Sequence, residues 1–277
     1  MSESTASWNS FGRVNASERW RKPSAAMGRA MTDALVTEAH LGPGMRVLDI
    51  ACGTGEPAIT IATALQSTGG TVVGADISPG PLRIAEQRAR ERGLPNVEFT
   101  PADVHQLPFP DSGFDRVTCR LGVMFFADSA RAFREIHRVL RPGGRVSLLA
   151  WGPMQQPYFD TTIGTVIRTV PDLSLPQSGT SMFKFGTAGT LSSALKDAGF
   201  AHAEERFADV PWNWPESPQE LWAYFQEVTI PFKPLFQAIP VERRQEVDEN
   251  VLAELSHRYE GNEVKFDAKI VLASATK

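Results

Sequence analysis

The segment from Arg46 to Thr60, RVLDIACGTGEPAIT, constrains the fold more than any other part of the chain. It contains a short apolar run that ends near an acidic residue, then two glycines one residue apart, then a helical pattern. This order predicts a buried strand, a tight turn and the start of a helix. Gly53 and Gly55 carry no Cβ, so a ligand the size of adenosine can approach the backbone closely at this turn.

Apolar runs and amphipathic helical patterns alternate through the following hundred or so residues. The runs predict strands at MRVLDIA, TVVGADIS, NVEFTPADV, FDRVTCRLGVMF and RVSLLAW. The helical patterns are PAITIATALQ, PLRIAEQRARERG and SARAFREIHRVLRPGG, the last ending at a Pro-Gly-Gly stop. Strands separated by helices predict βαβ units and hence an α/β protein with a parallel sheet, whose ligand-binding core spans residues 46–151.

The remaining segments differ in composition from this core. We expect residues 1–45 to form N-terminal covering helices, which either close over the ligand pocket or only fix a helix to the core. Residues 152–186 predict an insertion or a lid, and residues 187–210 predict a helix and a sixth strand that continue the core. The aromatic run PWNWPESPQELWAYF opens a predicted helical cap insertion over residues 211–262, and residues 263–277 predict a final core strand.

Charge and cysteine content exclude several classes of partner. The formal net charge of −4 gives no general attraction to nucleic acid or to anionic membranes. Cys52 and Cys119 are too few for a disulfide framework or a zinc site, so no metal is expected. The polar N-terminus and the lack of a membrane-length apolar stretch predict a cytoplasmic protein without membrane insertion. The expected partner is a small molecule, and a homodimer is possible.

Three carboxylates fall at the ends of successive predicted strands. Asp49 ends the first strand, Asp76 ends the second, and Asp103 follows the third. The carboxyl ends of parallel strands line the crevice where ligands bind in a doubly wound sheet. Asp76 is therefore placed to accept hydrogen bonds from ribose hydroxyls, and Asp103 to accept one from an adenine amino group.

The residues after the two glycines indicate which adenosine ligand to expect. The dinucleotide fingerprint G-x-G-x-x-G leaves a helix N-terminus open for a pyrophosphate, but here the turn lacks the third glycine and continues with Glu56. Glu56 would repel a pyrophosphate, and no Arg or Lys is expected nearby to offset it. The acids instead suit a ligand with a cationic centre and no phosphate. S-adenosylmethionine meets that description, with Asp49 acting on its ammonium group through a local network.

Four motifs also resemble those of a known family: VLDIACGTG, the acid in VVGADIS, ADVHQLPFPDSGFDRV and AFREIHRVLRPGGRV. They are similar to the motifs of class I S-adenosylmethionine-dependent methyltransferases, most closely the branch of the ubiquinone and menaquinone C-methyltransferases. The resemblance is strong over residues 40–151. It implies a Rossmann-like, seven-stranded, mostly parallel sheet with helices on both faces, and an antiparallel last strand inserted beside the sixth.

By position, the resemblance also implies the ligand contacts. Those to the cofactor come from the strand ends, namely Asp49, Ala51, Gly53, Gly55, Asp76, Ile77, Asp103, Val104, Arg120 and Leu121. Met124 would face the methyl group or the acceptor. The aromatic segments predict an apolar lid in which Phe183 and Trp214 contact a flat or lipophilic acceptor, although the same aromatics could equally form a helical core or a dimer surface. No residue is selected as a general base.

The sequence thus predicts S-adenosylmethionine-dependent methyl transfer to a small apolar or aromatic molecule. One alternative is a protein that retains the cofactor pocket for a structural or rearrangement role. Another is a nicotinamide-dependent oxidoreductase, which the missing third glycine and Glu56 disfavour.

Overall fold

The computed structural model describes residues 15–16 and 18–277. The first part of the predicted covering segment, residues 1–14, and Ser17 lie outside the described residues. Before the core, the described residues include helices α1 (Arg21–Met27) and α2 (Arg29–Glu38). Their buried side chains include Met27, Met31 and Leu35, which pack into the main hydrophobic core.

The core itself follows the predicted alternation of strands and helices. Its elements are β1 (Arg46–Ile50), α3 (Ala58–Leu65), β2 (Thr71–Asp76), α4 (Pro79–Glu91), β3 (Val97–Pro101), β4 (Phe114–Arg120), α5 (Ser129–Val139) and β5 (Leu140–Trp151). Asp128 caps the start of helix α5: its side chain accepts a hydrogen bond from the Arg131 backbone N–H, as is typical of an N-cap residue.

The second half of the chain adds short helices and the last strands. In order these are α6 (Pro157–Phe159), a π-helical turn (Asp160–Gly164), α7 (Thr165–Thr169), α8 (Gln177–Ser181), α9 (Thr190–Asp197), β6 (Ala201–Pro211), α10 (Pro218–Val228), α11 (Lys233–Gln237), α12 (Arg244–Ser256), β7 (Tyr259–Glu260), β8 (Glu263–Val264) and β9 (Asp267–Thr276). Helix α10 starts with a capping box between Ser217 and Glu220, which satisfies backbone N–H groups at its first turn.

The seven-stranded sheet has the strand order β3-β2-β1-β4-β5-β9-β6. Strands β1 to β5 pair in parallel, whereas β9 runs antiparallel to both of its neighbours, β5 and β6. The prediction of a mostly parallel sheet with an antiparallel last strand beside the sixth is therefore confirmed.

Several boundaries differ from the predicted ones. The predicted fourth strand, FDRVTCRLGVMF, ends at Arg120 in the structure, and Val123–Phe125 form a 3₁₀ turn. Strand β5 begins at Leu140, which pairs with Phe114 of β4, so the Pro-Gly-Gly segment lies within the strand as an irregularity and not at the end of a helix. The alternating tail also divides in two. Val264 pairs with Tyr259 in a short hairpin, and the sheet strand starts only at Asp267. Local alternation predicts an extended backbone but not which partner it pairs with.

Helices cover both faces of the sheet. On one face, α3 and α4 pack through Ile59, Ile61 and Leu82 against the strands. On the other, α1, α2, α5, α9 and the cap helices share one continuous core. In the part of the chain that the structure describes, no helix is both long and apolar enough to cross a membrane.

Candidate cofactor and acceptor site

Residues that follow five neighbouring strands line one cavity of about 550 Å³. Along the sheet, from β3 to β5, the residues at or just after each strand end are Asp103 and Val104, Asp76 and Ile77, Ala51 to Thr54, Arg120 to Gly122, and Trp151. Because parallel strands end at the same edge, the cavity runs across the sheet over their carboxyl ends. Its two halves have different chemistry.

The glycine turn, residues 51–57, forms one wall of the cavity. Gly53 has φ 54° and would meet nothing within 4 Å if it carried a Cβ, and its N–H donates to Asp76 Oδ2 at 2.9 Å. Gly55 has φ 108°, and a Cβ there would lie 2.6 Å from Ile59 Cδ1. Gly53 thus keeps space open for a ligand, whereas Gly55, which does not line the cavity, lets α3 pack against the turn.

Asp49 lies fully buried beneath this turn and does not line the cavity. Its Oδ2 accepts the Ala58 N–H at 3.0 Å, and its Oδ1 accepts the Thr118 hydroxyl at 2.8 Å. Burial raises the pKa of its carboxyl to about 7, against the opposing effects of the Thr118 hydrogen bond and the charge on Arg120. Asp49 therefore fixes the turn to β4 and α3, and its action on a ligand would be electrostatic.

Asp76 and Ile77 present a carboxylate and an apolar side chain to the cavity. The Asp76 oxygens accept backbone N–H groups from Gly53 at 2.9 Å and Ser78 at 2.8 Å, which hold the carboxylate in place. Ile77 is 47% exposed, unusually high for a large apolar side chain, and it lies at the cavity wall.

Asp103 is held by His105, a contact that the sequence did not indicate. Asp103 Oδ1 accepts the His105 backbone N–H at 2.9 Å and lies 2.6 Å from His105 Nδ1. His105 Nε2 accepts the Asp128 N–H at 3.1 Å, so we assign the ring proton to Nδ1, facing Asp103. Partial burial opposes ionisation, but the hydrogen bonds from His105 outweigh it and lower the pKa of Asp103. With both ring nitrogens engaged, His105 positions Asp103 and does not serve as a free base.

The residues after β4 lie in the middle of the cavity, between its two halves. Arg120, Leu121 and Met124 all line it. The Arg120 Nη1 group donates to Thr32 Oγ1 at 2.6 Å and to the Gly28 carbonyl at 3.3 Å, which ties this side chain to the junction of α1 and α2. Burial lowers the pKa of its guanidinium.

The second half of the cavity, which we name the aromatic chamber, is formed by Trp151, Tyr158, Phe159, Met182, Trp212, Tyr224 and Phe225. Most neighbouring rings pack edge to face, with 5.2 Å between the centroids of Trp151 and Trp212 and 5.5 Å between those of Tyr158 and Phe225, whereas Trp151 and Tyr158 are stacked. Burial raises the pKa of the Tyr158 phenol well above its usual value, so that phenol stays neutral.

Two residues predicted to contact the acceptor stand behind the chamber wall. Trp214 is fully buried between Trp20 and Tyr224, with ring centroids 5.7 Å and 4.7 Å away. Phe183 packs against Phe159 at 4.9 Å. Neither is among the residues lining the cavity, so each supports a ring that is. The strand-end rule that selected the three aspartates could also have selected Trp151, which ends β5.

One sequence argument against a pyrophosphate is wrong. Two arginines do reach the turn. Arg88 of α4 donates to the Thr54 carbonyl and hydroxyl at 3.1 and 2.8 Å, and Arg92, which follows α4 directly, forms an ion pair with Glu56 at 3.4 Å. The structure supplies a different reason. The backbone N–H of Ala58, the first residue of α3, is already occupied by Asp49 and is unavailable to a phosphate.

The donor set at this site fits S-adenosylmethionine. The bare Gly53, the carboxylates of Asp76 and Asp103, and the apolar Ile77 suit an adenosine without phosphates. No group of His, Cys, Asp and Glu among the described residues could hold a metal ion.

Comparison with solved structures gives the class of fold. The YcgJ protein of Bacillus subtilis has a TM-score of 0.58 at 22% identity, covering 89% of this chain and 97% of that one. The [4+2]-cyclase SpnF has a TM-score of 0.54 at 25% identity, covering 89% and 80%. Phosphoethanolamine N-methyltransferase 2 of Haemonchus contortus, solved with S-adenosylhomocysteine, has a TM-score of 0.58 at 18% identity, covering 97% and 60%. The fold is that of the Rossmann-like S-adenosylmethionine-dependent methyltransferases.

Residues 26–207 match the ubiE/COQ5 methyltransferase family, and the chain belongs to that family. The uncharacterized protein Rv1405c of Mycobacterium tuberculosis is 36% identical over 169 residues, 59% of each chain. The demethylmenaquinone methyltransferase of Thermus thermophilus is 46% identical over 108 residues, 39% of this chain and 48% of that one. The matched regions therefore span about half to three fifths of these relatives. The cofactor of this family fold is S-adenosylmethionine, as expected from the turn and its acids.

Proposed function

We propose that this chain transfers a methyl group from S-adenosylmethionine to a flat, apolar small molecule held in the aromatic chamber. The observation that carries the proposal is the continuity of the cavity: the cofactor half, over β3, β2 and β1, opens into the chamber beside β4 and β5. A donor in one half and an acceptor in the other would meet at Arg120 to Met124.

The bound cofactor supplies an electrophilic sulfonium methyl group, which an acceptor attacks in line. The contribution of the protein is positioning and exclusion of water. Gly53 and Asp76 hold the adenosine end, and the rings of the chamber orient the acceptor and keep the reacting centre dry. The described side chains of the chamber include no carboxylate or imidazole. We therefore infer that the acceptor reacts as an anion that has lost its proton to solvent before it binds, such as a phenolate. The phenolate attacks the methyl group through its oxygen, or through a ring carbon whose proton then passes to the phenolate oxygen.

The names of related proteins support the same class of acceptor. Several relatives are demethylmenaquinone or ubiquinone/menaquinone C-methyltransferases, and another is the methyltransferase GfsG of Streptomyces halstedii. Reduced quinones with short side chains and simple phenols are therefore the first compounds to assay. Formation of S-adenosylhomocysteine together with a methylated product would support the proposal.

Two tryptophans of the cap provide a matched test of where the acceptor binds. Trp212 lines the chamber, whereas Trp222 is buried nearby, donates to Asp248 at 2.7 Å and does not line it. We expect Trp212→Leu to raise the acceptor KM by about tenfold, since it removes most of an aromatic contact, with the Kd for S-adenosylhomocysteine unchanged. Trp222→Leu should lower stability without that effect. Equal acceptor KM values in the two variants would refute the proposed location.

The likeness to SpnF supports a second candidate, a protein that keeps the cofactor pocket but catalyses a rearrangement. In that case the chain would bind S-adenosylhomocysteine and convert a chamber ligand to an isomer of the same mass. Mass spectrometry separates the two functions, because methyl transfer adds one methyl group to the product.

Location and assembly are also proposals. A cytoplasmic location suits the two cysteines, which are buried and unpaired. A homodimer could form along the edge strand β6, where Phe207 is exposed. Sedimentation of the purified chain, alone and with Phe207→Asp, tests the dimer. A wild-type monomer across the concentrations used in activity assays would exclude it.

A further inference from the structure

Arg120 is a cation in the wall of the cavity with no described carboxylate at ion-pair distance. Its Nη1 group is used by Thr32 and Gly28, but its Nε and Nη2 groups donate to no described residue. Burial disfavours its charge, as the lowered pKa indicates. A guanidinium in this setting gains most from an anionic ligand, because its fork of donors matches a carboxylate.

The nearest acids are already engaged elsewhere. Glu56, the strongest electrostatic neighbour of Arg120, accepts the Thr60 hydroxyl at 2.6 Å and pairs with Arg92 at 3.4 Å. Asp49, the next strongest, is occupied by Ala58 and Thr118. Both acids exert a field on Arg120, but neither takes up its remaining donors.

We propose that Arg120 binds the carboxylate at the methionyl end of the cofactor. This inference rests on the proposed function, in that the cofactor is S-adenosylmethionine. The methionyl end is a zwitterion, and here a guanidinium, Arg120, and a carboxylate, Glu56, line the same cavity beside the glycine turn. The alternative source of a carboxylate is the acceptor, but the chamber where it would lie is lined by apolar and aromatic side chains.

Thr32 is the positioning residue in this arrangement. Its hydroxyl accepts from Arg120 Nη1 and donates to the Gly28 carbonyl at 3.2 Å, and Gly28 also accepts from Arg120. The orientation of the guanidinium therefore depends on the α1–α2 junction. The covering helices would in this way set the affinity of the cofactor without touching its adenosine.

Calorimetry with two ligands tests the proposal without any need for turnover. S-adenosylhomocysteine carries the amino-acid end, whereas 5′-methylthioadenosine lacks it. We expect Arg120→Met to raise the Kd for S-adenosylhomocysteine by about 10- to 100-fold, because charged hydrogen bonds are lost. The Kd for 5′-methylthioadenosine should change by less than about twofold. Arg116→Met is the matched control, because Arg116 lies on the same strand, anchors to the Ala39 and His40 carbonyls and does not line the cavity.

Each other outcome is decisive. The inference is overturned if Arg120→Met lowers the affinity for both ligands equally, if it lowers neither affinity, or if it changes only the acceptor KM. A wild-type chain that binds no S-adenosylhomocysteine refutes the proposed function itself. If Arg120→Met does not fold, Thr32→Val replaces it in the test. We expect Thr32→Val to raise the Kd for S-adenosylhomocysteine by about 3- to 10-fold, since one hydrogen bond to Arg120 is lost, and to leave the Kd for 5′-methylthioadenosine unchanged. Equal losses of affinity for both ligands overturn the inference.

Discussion

The two glycines of the turn should respond to the same substitution in opposite ways. Gly55→Ala places a methyl group 2.6 Å from Ile59 Cδ1 and 3.1 Å from Ala85 Cβ, at a φ of 108° that L-residues rarely adopt. Gly53→Ala places one in open space at φ 54°, within the left-handed region. The first change affects packing between the turn and its helices. The second adds a methyl group to the space reserved for the ligand and causes only a modest backbone strain.

The magnitudes follow from these contacts. For Gly55→Ala, backbone strain of about 1–3 kcal/mol adds to overpacking of about 1–3 kcal/mol, so the free energy of unfolding should fall by roughly 2–6 kcal/mol. For Gly53→Ala, the left-handed conformation costs only about 1–2 kcal/mol, part of which is offset by the lower entropy of the unfolded chain. Its methyl group should nevertheless raise the Kd for the cofactor by about tenfold, as expected from a mild steric clash.

Urea unfolding and calorimetry with S-adenosylhomocysteine measure the two effects separately. Gly55→Ala should lower the unfolding midpoint markedly, whereas Gly53→Ala should lower the free energy of unfolding by no more than about 1–2 kcal/mol while weakening ligand binding. The reasoning is refuted if Gly53→Ala is the less stable variant, or if it binds S-adenosylhomocysteine as tightly as the wild type does.

Three further predictions follow from the buried charges and thiols. Between pH 3.8 and about 7 the folded chain keeps a proton on Asp49 that the unfolded chain has lost, so this group makes stability fall as pH rises through that window. Relative to the wild type, Asp49→Asn should therefore gain stability from about pH 4 to about pH 7 in urea unfolding. A stability difference that stays constant over that range would contradict this. Burial raises the pKa of the Cys52 and Cys119 thiols. Both thiols should therefore react with a disulfide-exchange reagent only when the protein unfolds. Rapid reaction of the native protein would contradict this expectation. Arg88→Met removes two hydrogen bonds to the glycine turn and should raise the Kd for S-adenosylhomocysteine, measured by calorimetry, by about 3- to 10-fold. Arg90 is exposed on the same helix, so Arg90→Met should bind S-adenosylhomocysteine as the wild type does. Equal affinities in both variants would exclude a role for Arg88.

The sheet was predictable because its strands are apolar runs separated by helical patterns, a signal that is local in sequence. The position of β9 in the sheet could not be predicted from a local sequence pattern. Its place between β5 and β6 came from the family resemblance. The break in the predicted tail after Val264 reflects a hairpin with Tyr259 and a bridge to Trp214. Pairing partners distant in the chain are not encoded in the alternation of one segment.

The cofactor half of the site could be located from sequence for the same reason. Asp76 and Asp103 follow strands, and parallel strands end at one edge, so topology alone brings them together. No comparable rule predicts which residues line the aromatic chamber. Trp212 and Trp214 are two residues apart and equally apolar, yet only Trp212 lines the cavity, because Trp214 is enclosed by Trp20 from the N-terminal segment.

This difference separates the parts of the chain that set cofactor and acceptor specificity. The family match ends at residue 207, which includes every strand end of the cofactor half but none of the cap. Trp212, Tyr224 and Phe225, three of the rings of the chamber, lie beyond it. The cap packs on the second face of the sheet, away from α3 and α4. Its side chains can therefore change with the acceptor while the glycine turn and its aspartates stay in place, so a swap of residues 211–262 between relatives should transfer acceptor preference and leave the Kd for S-adenosylhomocysteine unchanged.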